Sequence, residues 1–145
     1  MAVLLEGVRL RRFIFNRLTA DTGPGGVATL VGGRIYVREA PQSVALPAVV
    51  VQPVASVPTN TLGGARVFAT SQADARVICD GGNTGSQVAI ADRIDAVLQE
   101  AAGVQDAAIV VKLVRTDENE FTTQEAGKSY VHLVLTYGTP VYAAP

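Results

Sequence analysis

Five groups of residues have types that can do chemistry: the loop Asp80-Gly-Gly-Asn-Thr-Gly-Ser-Gln, the acids Asp117, Glu118, Glu120 and Glu125, the single His132, the single Cys79, and the arginines Arg9, Arg11, Arg12 and Arg17. The loop follows an expected strand and precedes an expected helix, where successive backbone amides can hold a phosphate. On that reading Gly81 to Gly85 form a small phosphate- or nucleotide-binding module. The same residues also serve as a plain strand-to-helix connection capped by Thr84 or Ser86, with glycines supplying unusual dihedrals. The loop holds no lysine, and its spacing matches neither the dinucleotide nor the Walker pattern. The acids lack the spacing of a calcium loop, and nothing implies an apolar pocket that would raise one carboxyl pKa for acid–base work. They read as a solvated hairpin with its turn at Asp117-Glu-Asn-Glu120. His132 has no Ser, Cys or Asp partner in any motif and reads as a strand-surface or interface residue. One cysteine cannot close an intramolecular disulfide, and one Cys with one His cannot build a typical structural zinc site. No catalytic residue, cofactor or metal is expected, and the chain is not read as an enzyme.

The composition directs attention to protein partners instead. Hydrophobic residues make up 48% of the 145 residues and charged residues 17%, with mean hydropathy +0.28, whereas about a quarter of an ordinary soluble chain is charged. The longest apolar runs, Ala48–Val51 and Ala107–Val111, are too short to span a bilayer. The surplus apolar surface is expected to meet other protein, which favours an oligomer. Net charge −1 and pI 5.8 provide no general attraction to nucleic acid or anionic membrane. Charge is nevertheless uneven: the four arginines cluster early, and the four acids fall late with no base among them. Docking of one set on the other between neighbouring copies is one use of that asymmetry; nucleic-acid contact by the arginines is another, though no exposed aromatics are interleaved with them. The N-terminus lacks the features of a signal peptide, and a reducing cytoplasm suits the lone thiol.

A single domain, residues 1–145, is expected from the length. Residues 3–20 predict a helix with Leu4, Val8, Phe15 and Leu18 on its apolar stripe, widened by Leu5 and Ile14. Asp21-Thr-Gly-Pro-Gly-Gly is a stop and a linker. Two strands, 34–38 and 48–52, flank a corner pinned by Pro41 and Pro47, and Ala48 to Val51, apolar throughout, predict cover on both faces. Pro53 and Pro58 are expected to break or edge the second strand. Residues 66–70 and 76–79 form either a hairpin or one bulged strand. The spacing over 87–102 predicts a helix burying Val88, Ala91, Ile94, Leu98 and Ala101, broadened by Ile90 and Val97 and closed by Gly103. Ala107–Arg115 reads as one strand, and 129–137 alternates cleanly. The segment after Gly138 is expected to be extended, with a course across a neighbouring subunit as one option. The fold class is α+β: a mixed or antiparallel sheet packed against two helices, with a long C-terminal hairpin.

That order of elements, with Ile35-Tyr36, Ala40-Pro41-Gln42, Leu46-Pro47 and Ala89-Ile90-Ala91-Asp92-Arg93-Ile94, resembles the tail terminator or tail completion proteins of tailed bacteriophages over roughly residues 4–137. The resemblance implies a structural virion protein that forms a homo-hexameric ring and caps the head-proximal end of the tail tube. It also implies tail tube and head-completion or connector proteins as partners, DNA passing through the lumen without specific binding, assembly in the host cytoplasm, and no membrane. Two features depart from the family pattern: Ala48 stands where an aromatic commonly follows the second proline, and the 80–86 loop is longer than usual. A different phage neck or connector adaptor is the nearest alternative.

Overall fold

The computed structural model describes residues 6–41, 45–60, 66–81, 84–106 and 108–143. In chain order the elements are α1 (Glu6–Thr19), α2 (Val27–Leu30), β1 (Ile35–Val37), β2 (Ala48–Asn60), β3 (Arg66–Asp80), α3 (Thr84–Leu98), β4 (Gly103–Gln105), β5 (Ala108–Val110), β6 (Val114–Glu125) and β7 (Lys128–Ala143). The strands form one sheet in the order β1-β2-β3-β7-β5-β4, with β6 also paired to β7. Every pairing is antiparallel except β1 with β2. This is the expected α+β class: a mixed sheet covered on one face by helices and ending in a long hairpin.

Alternation decides which face the helices cover. Leu133, Leu135 and Tyr137 of β7 share one face with Ala73, Ala75, Val77 and Cys79 of β3 and Val49 and Val51 of β2, all in the core. The small alanines of β3 leave room for the helices to approach closely. α1 buries Leu10, Phe13, Ile14 and Leu18 against this face, and α3 buries Ile90, Ala91, Ile94 and Leu98. The α1 stripe is rotated from the expected one, whereas the α3 stripe is as expected apart from Val88, with Val97 and Ala101 packed against the core. On α1, Leu10 and Phe13 are central and Phe15 lies at the margin, while Leu4 and Leu5 fall outside the described residues. On α3, Val88 is 55% exposed. α3 also stops at Leu98, with Glu100 in a left-handed conformation (φ 65°), and Gly103 opens β4 instead of capping the helix.

The Ala-Pro corner is a crossover, not a turn between antiparallel partners. β1 and β2 run parallel, Ile35 level with Val49, so the chain must travel back before re-entering the sheet. Ala40, Pro41 and Leu46 line a groove with Ile78 and His132 on the face opposite the helices. Ala48, Val49, Val50 and Val51 are all buried, so the expected cover on both faces is present. Residues 42–44 lie outside the described set. The prolines do not end β2. It continues to Asn60 through a register shift between Pro53 and Ala55, a bulge that accommodates the missing amide. β3 is one continuous strand, the second of the two readings left open by its sequence.

The acidic turn and the single 107–115 strand are both corrected. β5 pairs with the far end of β7 and β6 with its near part, so residues 111–113 step between two registers. Leu113 is buried there, its amide donating to the Ala101 carbonyl at 2.9 Å. Asp117 to Glu120 lie in the middle of β6, and the hairpin turns at Ala126-Gly127 (φ 51° and 77°), with Glu125 paired to Lys128. An alanine in that conformation is unfavourable, which is why the turn is hard to read from sequence. Ala126→Asn, which makes the preferred Asn-Gly pair, is expected to raise the unfolding free energy by about 0.5–1 kcal/mol in urea titration. The stretch after Gly138 is extended as expected, and as far as Ala143 it forms the end of β7 between β3 and β5 of its own chain.

The glycine-rich linker leads directly into α2, which the sequence does not announce. Asp21 accepts the Val27 amide at 2.9 Å and receives Arg93 of α3 through two bonds of 2.8 and 2.7 Å. Gly26 is required here: a Cβ would stand 2.2 Å from the Asp21 carbonyl oxygen. The Arg93 bonds, followed by the Val27 amide, hold the Asp21 carboxyl below its ordinary pKa. A lowered folded-state pKa stabilises above the ordinary carboxylate value and ceases to do so as pH falls through the lowered one. Asp21→Ala is expected to cost about 1 kcal/mol at neutral pH from the lost cap alone. Melting curves across acid pH should show wild type and variant converging as Asp21 protonates.

Candidate assembly surfaces

The four arginines of α1 have separate roles. Arg9 and Arg12 both reach Asp106, next to β4, with Arg9 at 3.2 Å. Arg12 is the first cause of the lowered Asp106 pKa. Arg17 donates to the Ala102 carbonyl at 2.7 Å and lies 5.0 Å from the Phe13 ring centroid. These three fasten α1 to the segment that follows α3. Arg11 is directed elsewhere. Its charge is disfavoured first by burial, then by Arg38 and Arg12, and among the described residues it has no carboxylate partner. Arg38, which the sequence does not single out, stands just past β1 with φ 73°.

The four acids all lie on β6. That strand is exposed along its whole length and, among the described residues, pairs with β7 alone and leaves its other edge open. Glu118 and Glu120 pair with Leu135 and Leu133 and therefore point to the helix side, whereas Asp117 and Glu125 point to the other face. Among the described residues none of the four acids carries an ion pair. The acids and the arginines are not brought together within the chain.

On the face away from the helices, Phe121 stacks on His132 with centroids 4.6 Å apart, Thr123 Oγ1 lies 2.9 Å from His132 Nε2, and Arg76 sits 5.7 Å from the Phe121 ring. Burial, and then Arg76, push the His132 pKa down. His132 is thus a half-buried strand residue that anchors β6, in line with the surface reading. A second exposed region is the outer part of β2, where Val54 and Val57 are 51% and 63% exposed.

The glycine loop offers little that is free at its start. The Gly81 amide donates to the Ser129 carbonyl at 2.9 Å, and a Cβ there would meet Ser129 at 3.1 Å. Gln87, buried in the first turns of α3, donates its side-chain amide to the carbonyls of Val77 and Val131. These bonds attach the loop and helix to β3 and β7. Ser86 lies inside α3, and the Thr84 side chain falls outside the described residues, as do Gly82 and Asn83. Cys79 is in the core, and burial raises its thiol pKa. Among the described residues no three His, Cys, Asp or Glu side chains are placed to hold a metal, and no helix is long and apolar enough to cross a membrane.

Residues 13–141 match the family of tail completion protein gp17. The chain belongs to that family. It is therefore a structural protein of a phage tail, and the resemblance carried by the proline corner and the α3 motif is upheld. A chain from the virion of a native gene transfer agent particle has the same fold as this tail completion family member: TM-score 0.79 at 20% identity, covering 97% of this chain and 100% of that one. A second solved chain matches with TM-score 0.56 at 16% identity, over 94% of this chain and 96% of its own length. No curated protein matches the sequence.

Proposed function

We propose that this chain assembles into a homo-hexameric ring that closes the head-proximal end of a phage tail tube and joins it to the capsid connector. The observation that carries the reading is the family match over residues 13–141, which takes in all of α3 and every strand of the sheet except the last two residues of β7. A virion chain of the same fold, matched along its full length, supports a role within a particle. The partners are then the tail tube protein on one face of the ring and head-completion or connector proteins on the other. DNA passes through the lumen without specific binding, since tight phosphate contacts would slow it. The location is the virion, after assembly in the host cytoplasm.

Light scattering on the purified chain, with negative-stain imaging of the same fractions, tests this. Hexameric rings in solution, or monomers that become rings on added tail tubes, are the expected result. A compact monomer with no affinity for tubes or neck proteins rules the reading out. Melting against a nucleotide panel tests the ligand reading of Gly81–Gly85: a ligand at one hundred times its Kd would add about 2.7 kcal/mol, and no shift is expected.

A further inference from the structure

The two outer flanks of the sheet stand level with each other and carry opposite charge. Val37 of β1 and Glu118 of β6 lie on one rung, connected through Val51, Ala75 and Leu135; Ile35 and Glu120 lie two rungs further along. A sideways step along the sheet therefore takes Glu118 and Glu120 of one copy to the β1 flank of the next. Strand direction agrees as well. β1 runs parallel to β2, and each later neighbour reverses through β3 and β7, so β6 is antiparallel to β1. The two strands would meet as an antiparallel pair, the arrangement with perpendicular hydrogen bonds.

Charge follows the same geometry. Glu118 and Glu120 point to the side of the sheet that carries α1, and Arg38 directly follows β1 and lies near enough to Arg11 of α1 to disfavour its charge. Among the described residues neither arginine has a carboxylate partner, and neither glutamate has a cation. An exposed strand of this length is a template for unwanted pairing, and its acids repel a second β6 while accepting a basic edge.

We infer that β6 of one copy docks against β1 and the Arg11–Arg38 flank of the next copy, in a head-to-tail contact. The inference rests on the ring reading above and names its subunit interface. The occupant is a second copy because this chain carries both halves of the complement, at matching height and in compatible direction. A heterologous contact of this kind closes into a ring when its rotation divides a full turn.

The test uses two charge-reversed full-length chains, Glu118→Lys with Glu120→Lys, and Arg11→Glu with Arg38→Glu, each checked for cooperative melting. Arg38→Glu alone replaces the second pair if the half-buried Arg11 makes that variant unfold. Each variant should assemble roughly tenfold more weakly than wild type at low salt, and an equimolar mixture should recover assemblies containing both chains. Wild-type assembly should also weaken as salt rises. If wild type forms rings and neither reversal changes the mass distribution, the inferred contact is overturned while the ring reading stands. Loss of assembly in both variants without recovery on mixing overturns it in the same way. A wild type that never assembles, alone or on tail tubes, removes both.

Discussion

Tyr137→Ala is expected to lower the unfolding free energy by about 3–5 kcal/mol, the range for emptying an aromatic site in a packed core. Tyr137 is fully buried on the helix side of β7, and its hydroxyl donates to Asp95 of α3 at 2.8 Å. Asp95 also has Arg115 at 3.5 Å and is partly open to water. Tyr137→Phe therefore strands no fully buried charge and should cost only about 1 kcal/mol. The contrast between the two variants separates packing from hydrogen bonding in chemical denaturation. Burial, followed by the bond to Asp95, pushes the phenol pKa well above its ordinary value. A raised folded-state pKa stabilises in full below the ordinary phenol value and is lost as pH rises past it, because only the unfolded chain ionises. Wild type should therefore lose stability above about pH 10 more steeply than Tyr137→Phe. Because a small domain has about 5–15 kcal/mol in total, Tyr137→Ala should also deplete assembled protein.

Leu98→Ala is expected to cost about 2–5 kcal/mol, whereas Val88→Ala should stay within about 0.5 kcal/mol. Both residues belong to the apolar stripe read from the α3 sequence. Leu98 is fully buried at the end of the helix, while Val88 is 55% exposed near its start. Equal losses from the two substitutions would show that α3 is rotated from the arrangement described, or that Val88 is covered by a neighbour in the assembly. Comparing dissociated and assembled protein distinguishes the two, since a partner-covered Val88 matters only in the assembled form.

Local pattern decides much of this architecture. The period-two alternation from Val131 to Tyr137 specifies which face of β7 enters the core, and the four apolar residues 48–51 specify a strand covered twice. The amphipathic runs of α1 and α3 identify both long helices and the α+β class. Two features that depend on single residues are harder to read. The hairpin turn relies on Ala126 in a left-handed conformation that glycine or asparagine would have signalled, and α2 depends on Asp21, whose partner Arg93 is far away in sequence.

What the chain could not disclose by itself was partnership across distance. α1 carries apolar residues around more than half its circumference, so only the position of the sheet selects Leu10 and Phe13 over Val8 and Phe15. The parallel pairing of β1 with β2, and the step of residues 111–113 from one register of β7 to another, are likewise set by which edges remain free once longer strands have paired. The two charge clusters and the lone cysteine and histidine are plain in the sequence. Only the folded chain shows that Arg9, Arg12 and Arg17 are committed to the segment after α3, and that all four acids lie on β6, whose outer edge is open among the described residues. The physical reason is that an ion pair or a free edge is a relation between segments, whereas periodicity and turn chemistry are properties of one segment.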